Sequence, residues 1–247
     1  MRKSFLVLIV AFVAVIAAVV ASVFPSSASN VLTNWGLLAT VLVVLAIIAF
    51  FFEFEAMAVS AKEIALVAML GTISAALRVP FAALPALQPC TYLVICSGYV
   101  FGMVAGFMVG ALTALVSNFF LGHGPWTPYQ MFAWGLAGVS SAWLGKLKVH
   151  SVWMVVFSIL WGYLFGWINN AWFWVAFVTP LTWKTFLVTQ LNSIGMDSLH
   201  ALGNGLFMSL FGMKTLAILE RYRRRFNWTH VDINPASSGI ILDKDIA

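Results

Sequence analysis

From Phe5 to Phe24 the chain carries no charged side chain, and further apolar stretches recur as far as Leu219. A stretch of about 20 such residues matches a ~30 Å hydrocarbon core. Inside that core the backbone N–H and C=O groups must be bonded within the chain, as a helix does. The fold expected is therefore all-α, a polytopic membrane helix bundle. Composition agrees: 62% of the residues are hydrophobic and 9% are charged, against about a quarter charged in soluble domains.

Charge placement organises the chain. The net charge of +5 does not indicate nucleic acid, because no soluble basic domain carries it. Arg2, Lys3, Lys62, Lys146, Lys148, Lys214, Arg221, Arg223, Arg224, Arg225 and Lys244 lie outside the apolar stretches or, for Lys214, close to the end of the last one. They read as topology determinants, with some attraction of Arg221–Arg225 for anionic lipid. The expected spans are about Phe5–Phe24, Trp35–Phe52, Glu63–Val79, 91–103, 104–121, Thr127–Leu144, Val152–Val178 and Ser193–Leu219. The first resembles a secretion signal followed by Ser26-Ser27-Ala28-Ser29, but it exceeds the ~7–15 residues of a signal core and is read as a retained helix. Cleavage near Ser29 would still leave Val31 outside. Ser60-Ala61-Lys62-Glu63 has the form of a capping box. Pro80, Pro85 and Pro89 exclude helix from the loop that follows.

Residues 91–121 admit one helix of ~46 Å or two short ones with a turn near Gly102. With two, and the N-terminus inside, all the basic residues above fall inside, leaving only Arg78 and Lys184 outside. With one, Lys146, Lys148 and Arg221–Arg225 would be translocated, against the positive-inside rule. Two short spans are expected, with local bilayer thinning or tilted packing. The chain then has residues 1–60 as two N-terminal helices, 61–220 as a six-helix core, and 221–247 as a basic and polar cytoplasmic tail. Cys90 and Cys96 read as small apolar side chains, with no metal site or disulfide framework implied.

Polar groups gather in the outer halves of the spans. Ser193, Asp197, His200 and Asn204 follow at steps of four, three and four, which puts them on one helical face. Asn118, Asn169, Asn170 and Arg78 lie at similar depth, with Gln88, His123, Gln130 and Lys184 in outer loops or helix starts. Trp126, Tyr129, Trp134, Trp167, Trp172, Trp174 and Trp183 share that bias. An interfacial aromatic belt explains part of this. It does not explain Asp197, His200 and Asn204 on one face, which implies a polar pocket opening outward or a network joining helices.

In the segment Gly122–Gln130, Thr127 suits a helix N-cap, Pro128 the first helical position, and Gln130 a capping box. His123 and Trp126 are left over and suit a ligand lid. Gly98, Gly102, Gly106 and Gly110 permit close helix approach. Ala61, Ala65, Ala68, Thr72, Ala75 and Ala76 form a small-residue face, for packing within the bundle or for docking to another subunit. The chain lacks a Walker A loop, His-Glu-x-x-His and Gly-x-Ser-x-Gly. Ser193 and His200 could share a face but have no evident oxyanion donors.

Three features resemble the substrate-binding S component of energy-coupling factor (ECF) vitamin transporters. They are the alanine-rich helix Ala65–Ala76 followed by Arg78-Val79-Pro80, the glycine-spaced pair ending in Ser117-Asn118, and Gly124–Met131 with Trp134-Gly135 behind it. The resemblance spans Glu63 to Leu219. It implies a six-helix core with cytoplasmic termini in the cell membrane, and an outward vitamin site covered by the loops after the third and fifth spans and before the last helix. It also implies partners, a transmembrane coupling protein and two ATPase subunits, with reorientation in the bilayer to release the solute inside. The Gly124–Pro128 segment is most similar to cobalamin-linked members, so cobalamin or a related corrinoid is the expected vitamin, with no cofactor of the chain's own. The two N-terminal helices depart from the usual six. On this mapping the substrate-binding residues are Arg78, Gln88, Asn118, His123, Trp126, Trp134, Asn170, Asp197, His200 and Asn204, and Ala65, Ala68, Thr72 and Ala76 dock the partner. The competing classes are an intramembrane lipid-processing enzyme and a structural assembly protein.

Overall fold

In the computed structural model, residues 2–23, 34–57, 60–84 and 86–225 are described. The expectations for the Ser26–Ser29 cleavage site, Pro85 and the tail beyond Arg225 lie outside the described residues. The helices are α1 (Lys3–Val23), α2 (Trp35–Ala56), α3 (Ala61–Arg78), α4 (Cys90–Phe101), α5 (Met103–Leu121), α6 (Thr127–Leu147), α7 (Ser151–Phe177), α8 (Trp183–Phe207) and α9 (Met213–Arg225). A π turn at Met208–Gly212 joins α8 to α9 without a break. The described residues contain no strand, as the all-α expectation requires.

Local chemistry sets the helix ends. Ser60 Oγ accepts from Glu63 N at 3.3 Å and the Glu63 carboxylate accepts from Ser60 N at 2.6 Å, so the capping box that opens α3 is present. Pro80 then ends α3 and opens a 3₁₀ turn over Pro80–Ala83. α2 runs on to Ala56, and Glu53 and Glu55 in its last turn take partners from α1: Arg2 to Glu53 at 3.4 Å and Lys3 to Glu55 at 3.1 Å, with Ser4 also donating to Glu53. The two helices are thus antiparallel.

α4 and α5 fold back on each other at Gly102. Its φ of 91° and ψ of −178° lie where only glycine sits without strain. A Cβ added to Gly106 would lie 2.6 Å from Gly98 Cα, so residues eight apart in sequence touch across the hairpin. Gly138 of α6 enters the same point, and three backbones meet there. α4 spans only 12 residues, yet all of it except Tyr92 and Tyr99 is buried. α4 is therefore surrounded by protein and not by lipid.

The last helix corrects the expectation. It was expected to begin at Ser193 and instead begins at Trp183. Thr182 caps it, accepting from Thr185 N at 3.2 Å. The continuous segment Trp183–Arg225 has 43 residues and at 1.5 Å per residue is ~64 Å long. It therefore projects beyond a ~30 Å core, and Lys184 lies on its first turn, one of the helix starts expected for it.

α2 packs on α5, α6 and α7, with Phe50 stacked on Phe107 at 3.9 Å and Thr40 Oγ1 3.1 Å from the Tyr129 hydroxyl. α1 packs mainly on α2. Cys90 and Cys96 are both buried free thiols. On α3, Leu66, Val67, Leu70, Ser74, Ala75 and Arg78 face inward, whereas Ala61, Ala65, Ala68, Thr72 and Ala76 are exposed. Packing within the bundle therefore accounts for Ala75 but not for the other small residues.

Candidate solute site

Arg78 is the only Asp, Glu, Lys or Arg between Glu63 and Lys146, and it is buried at the last turn of α3. Its Nε donates to Gln88 Oε1 at 3.0 Å, and its Nη1 donates to Ser117 Oγ at 2.6 Å and Asn118 Oδ1 at 2.7 Å. The guanidinium carbon lies 4.8 Å from the centre of the Trp134 ring, within cation–π range. A hydrogen bond to a charged group is worth about 1.5–3 kcal/mol net, so these contacts offset much of the cost of burying the charge.

Asn118 is the junction. It is 1% exposed. While Oδ1 accepts from Arg78, its Nδ2 donates to Thr127 Oγ1 at 3.1 Å and Gln130 Oε1 at 2.9 Å. Thr127 Oγ1 also accepts from Gly124 N at 3.2 Å and lies 3.5 Å from His123 Nδ1. This corrects the reading of Thr127 and Gln130 as a capping box. The residue capping α6 is Trp126, with no side-chain cap bond, and both polar side chains turn inward to Asn118. Helix-start spacing and an interhelical hydrogen-bond network call for the same residue types at these positions, so sequence could not separate them.

Trp134 carries the network to α4 and α8. Its Nε1 donates to Thr91 Oγ1 at 3.0 Å, and that hydroxyl is 3.1 Å from His200 Nε2. Phe165 of α7 packs on both rings, 4.4 Å from Trp134 and 5.0 Å from His200 between centroids. Thr91→Val keeps the shape and removes the hydroxyl, leaving the indole N–H and the imidazole unpaired. We expect it to lower stability by about 1–3 kcal/mol, measured as a fall in the thermal midpoint of the purified protein.

A second cluster lies between α7 and α8. Asn170 Nδ2 donates to Gln190 Oε1 at 3.0 Å and Ser193 Oγ at 2.6 Å, and Ser193 Oγ donates to Asp197 Oδ2 at 2.7 Å. The Asp197 carboxyl fills the space beside Gly166, where a Cβ would lie 2.0 Å from Oδ1. A groove of about 520 Å³ opens alongside, lined in part by Asn170, Lys184, Thr185, Asn192 and Ser193. That size is within the ~300–1,000 Å³ typical of small-molecule sites. The buried Gln190 Nε2 has no hydrogen-bond partner.

Of the residues singled out by sequence, Arg78, Gln88, Asn118, Trp134 and, through Thr91, His200 form one connected set. His123 stands at its rim. Trp126 is 38% exposed and packs edge-on against Trp172 at 6.0 Å. Asn170 and Asp197 belong to the second cluster. Asn204 lies deeper in α8, where Nδ2 donates to Ser158 O at 3.3 Å and Oδ1 has no partner. Thr91, Ser117 and Gln190 were missed. Ser117 adjoins Asn118 in the sequence, but neither Thr91 nor Gln190 carries a signal of its own. Ser193 Oγ bonds to Asp197 and Asn170, and His200 to Thr91, so Ser193 and His200 do not form a nucleophile–base pair.

Residues 62–220 match the model of the family described as ECF transporter, substrate-specific component. No curated protein and no solved structure matches the chain.

Proposed function

Because the chain belongs to the ECF transporter substrate-specific component family, we propose that it captures a vitamin at the end of the bundle built around Arg78, Asn118 and Trp134. The family makes it a substrate-binding subunit of an ECF importer in a membrane and not an enzyme. One observation carries the placement of the site. Side chains from α3, α5 and α6 form one hydrogen-bonded set there, side chains from α4, α6 and α8 form another, and the Arg78 guanidinium over the Trp134 ring joins the two. Polar groups within a membrane face protein or a cavity and mark solute pathways.

The opposite end carries Arg2, Lys3, Lys62, Lys146, Lys148, Lys214 and Arg221–Arg225. By the positive-inside rule that end faces the cytoplasm, both termini with it, and the Arg78 end faces out. The loop resemblance makes cobalamin the first vitamin to test. A corrinoid is large for a groove of about 520 Å³, so smaller vitamins belong in the same screen. The test is a thermal-shift screen of the purified protein against B vitamins and corrinoids. A ligand at a thousand times its Kd adds about 4 kcal/mol. A rise in midpoint for one vitamin is expected, and a flat response across all of them would overturn the reading.

The exposed small-residue face of α3 is the proposed docking surface for a transmembrane coupling protein that works with two ATPase subunits. Small residues let two membrane helices approach closely. Ala68→Trp would hold them apart. Losing ~1.4 kcal/mol of association is tenfold in affinity, so far less of the ATPase subunits should copurify with a tagged Ala68→Trp chain. Vitamin binding by that variant should be unchanged, since Ala68 is remote from the network.

A further inference from the structure

The outward end of the molecule carries three charged residues: Arg78, Lys184 and Asp197. The acid does not neutralise either cation. Among the described residues the ion pairs are Arg2–Glu53 and Lys3–Glu55, both at the other end, and Asp197 accepts from Ser193. Arg78 is therefore a buried cation, 7% exposed, whose hydrogen-bond partners Gln88, Ser117 and Asn118 are all neutral. Lys184 lines the groove. A buried charge without a counter-ion is costly, and such charges are normally paired.

The donor inventory points the same way. A guanidinium has five N–H donors. Nε makes one bond and Nη1 makes two, while Nη2 makes none among the described residues. The guanidinium carbon sits over the Trp134 ring, 4.8 Å from its centre. Each free N–H of Nη2 can donate to an anionic oxygen, and such a charge-assisted bond is roughly twice as strong as a neutral one.

We propose that the solute is an anion, and that its acidic group supplies the missing counter-charge by taking the free N–H pair of Arg78. This rests on the reading of the network as the solute site. It narrows the solute to compounds bearing a carboxylate or a phosphate ester, and separates them from neutral and cationic vitamins. Nicotinamide, riboflavin and thiamine are excluded. Biotin, nicotinate, pantothenate and folate are admitted by their carboxylates, and cobalamin by its phosphodiester.

The experiment uses the full chain in phosphatidylcholine nanodiscs, so that no anionic lipid competes for Arg78. Thermal stabilisation is measured for matched pairs: biotin and biotinamide, nicotinate and nicotinamide, pantothenate and pantothenol. Cobalamin, folate, riboflavin and thiamine complete the panel. The stabilising compound should carry the acid, and where it has a matched partner that partner should bind about 10- to 100-fold more weakly. Arg78→Gln should erase that preference, and Arg78→Lys should keep part of it. Equal stabilisation by acid and neutral partner, or stabilisation by riboflavin or thiamine, would overturn the anion assignment while leaving the solute site standing. An acid preference retained in Arg78→Gln would overturn the role of Arg78. If Arg78→Gln does not fold, the wild-type ratio of acid to neutral partner decides alone. Stabilisation by no compound would overturn the solute site and this inference with it.

Discussion

Gly98→Val is expected to abolish the folded protein. A Cβ at Gly98 would lie 2.0 Å from Gly138 O, 2.2 Å from Ser141 Oγ and 2.7 Å from Gly138 C. Two of those three atoms are backbone, so no rotamer change relieves the clash. Gly106 packs at the same point, 2.6 Å from Gly98 Cα by the same measure, and α4, α5 and α6 would all have to separate. Overpacking where side chains can shift typically costs 1–3 kcal/mol, occasionally more; here about 3 kcal/mol is the lower end of the expectation. Gly195→Val is the control, since nothing lies within 4 Å of a Cβ there. Size-exclusion profiles of the two variants in detergent should show an aggregated or absent Gly98→Val protein and a normal Gly195→Val one.

Asn118→Leu should spare the fold and remove ligand binding. It deletes three hydrogen bonds together, to Arg78, Thr127 and Gln130. Arg78 Nη1 keeps only Ser117, and the loop from Gly122 loses its tie to α5. Interhelical hydrogen bonds in membranes average ~0.6 kcal/mol each, so the bundle should lose about 2 kcal/mol and still assemble on its apolar core. The solute would meet a misplaced guanidinium, and a loss of ~100-fold in affinity corresponds to about 2.8 kcal/mol. Asn169→Leu is the contrast. Asn169 Nδ2 bonds to Phe165 O within its own helix and lies outside the network, so its affinity should match wild type.

Much of the fold was legible because charge and proline bound the apolar stretches. The hairpin at Gly102 followed from where the basic residues must lie, a topological constraint that acts over the whole chain. The start of the last helix was not legible. Lys184, Thr185, Gln190 and Asn192 make its first turns polar, and helix that leaves the hydrocarbon region looks like loop when hydropathy is the guide. Thr182 and Thr185 form a capping box, but with threonine in place of the usual Glu or Gln at the third position.

The site was legible by face and not by partner. Spacing puts Asp197, His200 and Asn204 on one side of α8, and all three are buried. It cannot say that His200 meets Thr91 and Phe165 while Asp197 meets Ser193, because that depends on the register between helices, which packing decides. Nor could it show that Ala65, Ala68, Thr72 and Ala76 stay uncovered while Ala75 does not. The two N-terminal helices looked like an addition to the core. Phe50 on Phe107 and Thr40 beside Tyr129 show that α2 is seated on it.

A calorimetric titration of the full chain in lipid nanodiscs, with whichever vitamin stabilises it, tests most directly that the Arg78–Asn118–Trp134 network is where solute binds. The wild type should give a one-to-one isotherm, and folded Asn118→Leu should give none at the same concentrations. An isotherm with the same midpoint in both proteins would contradict the account.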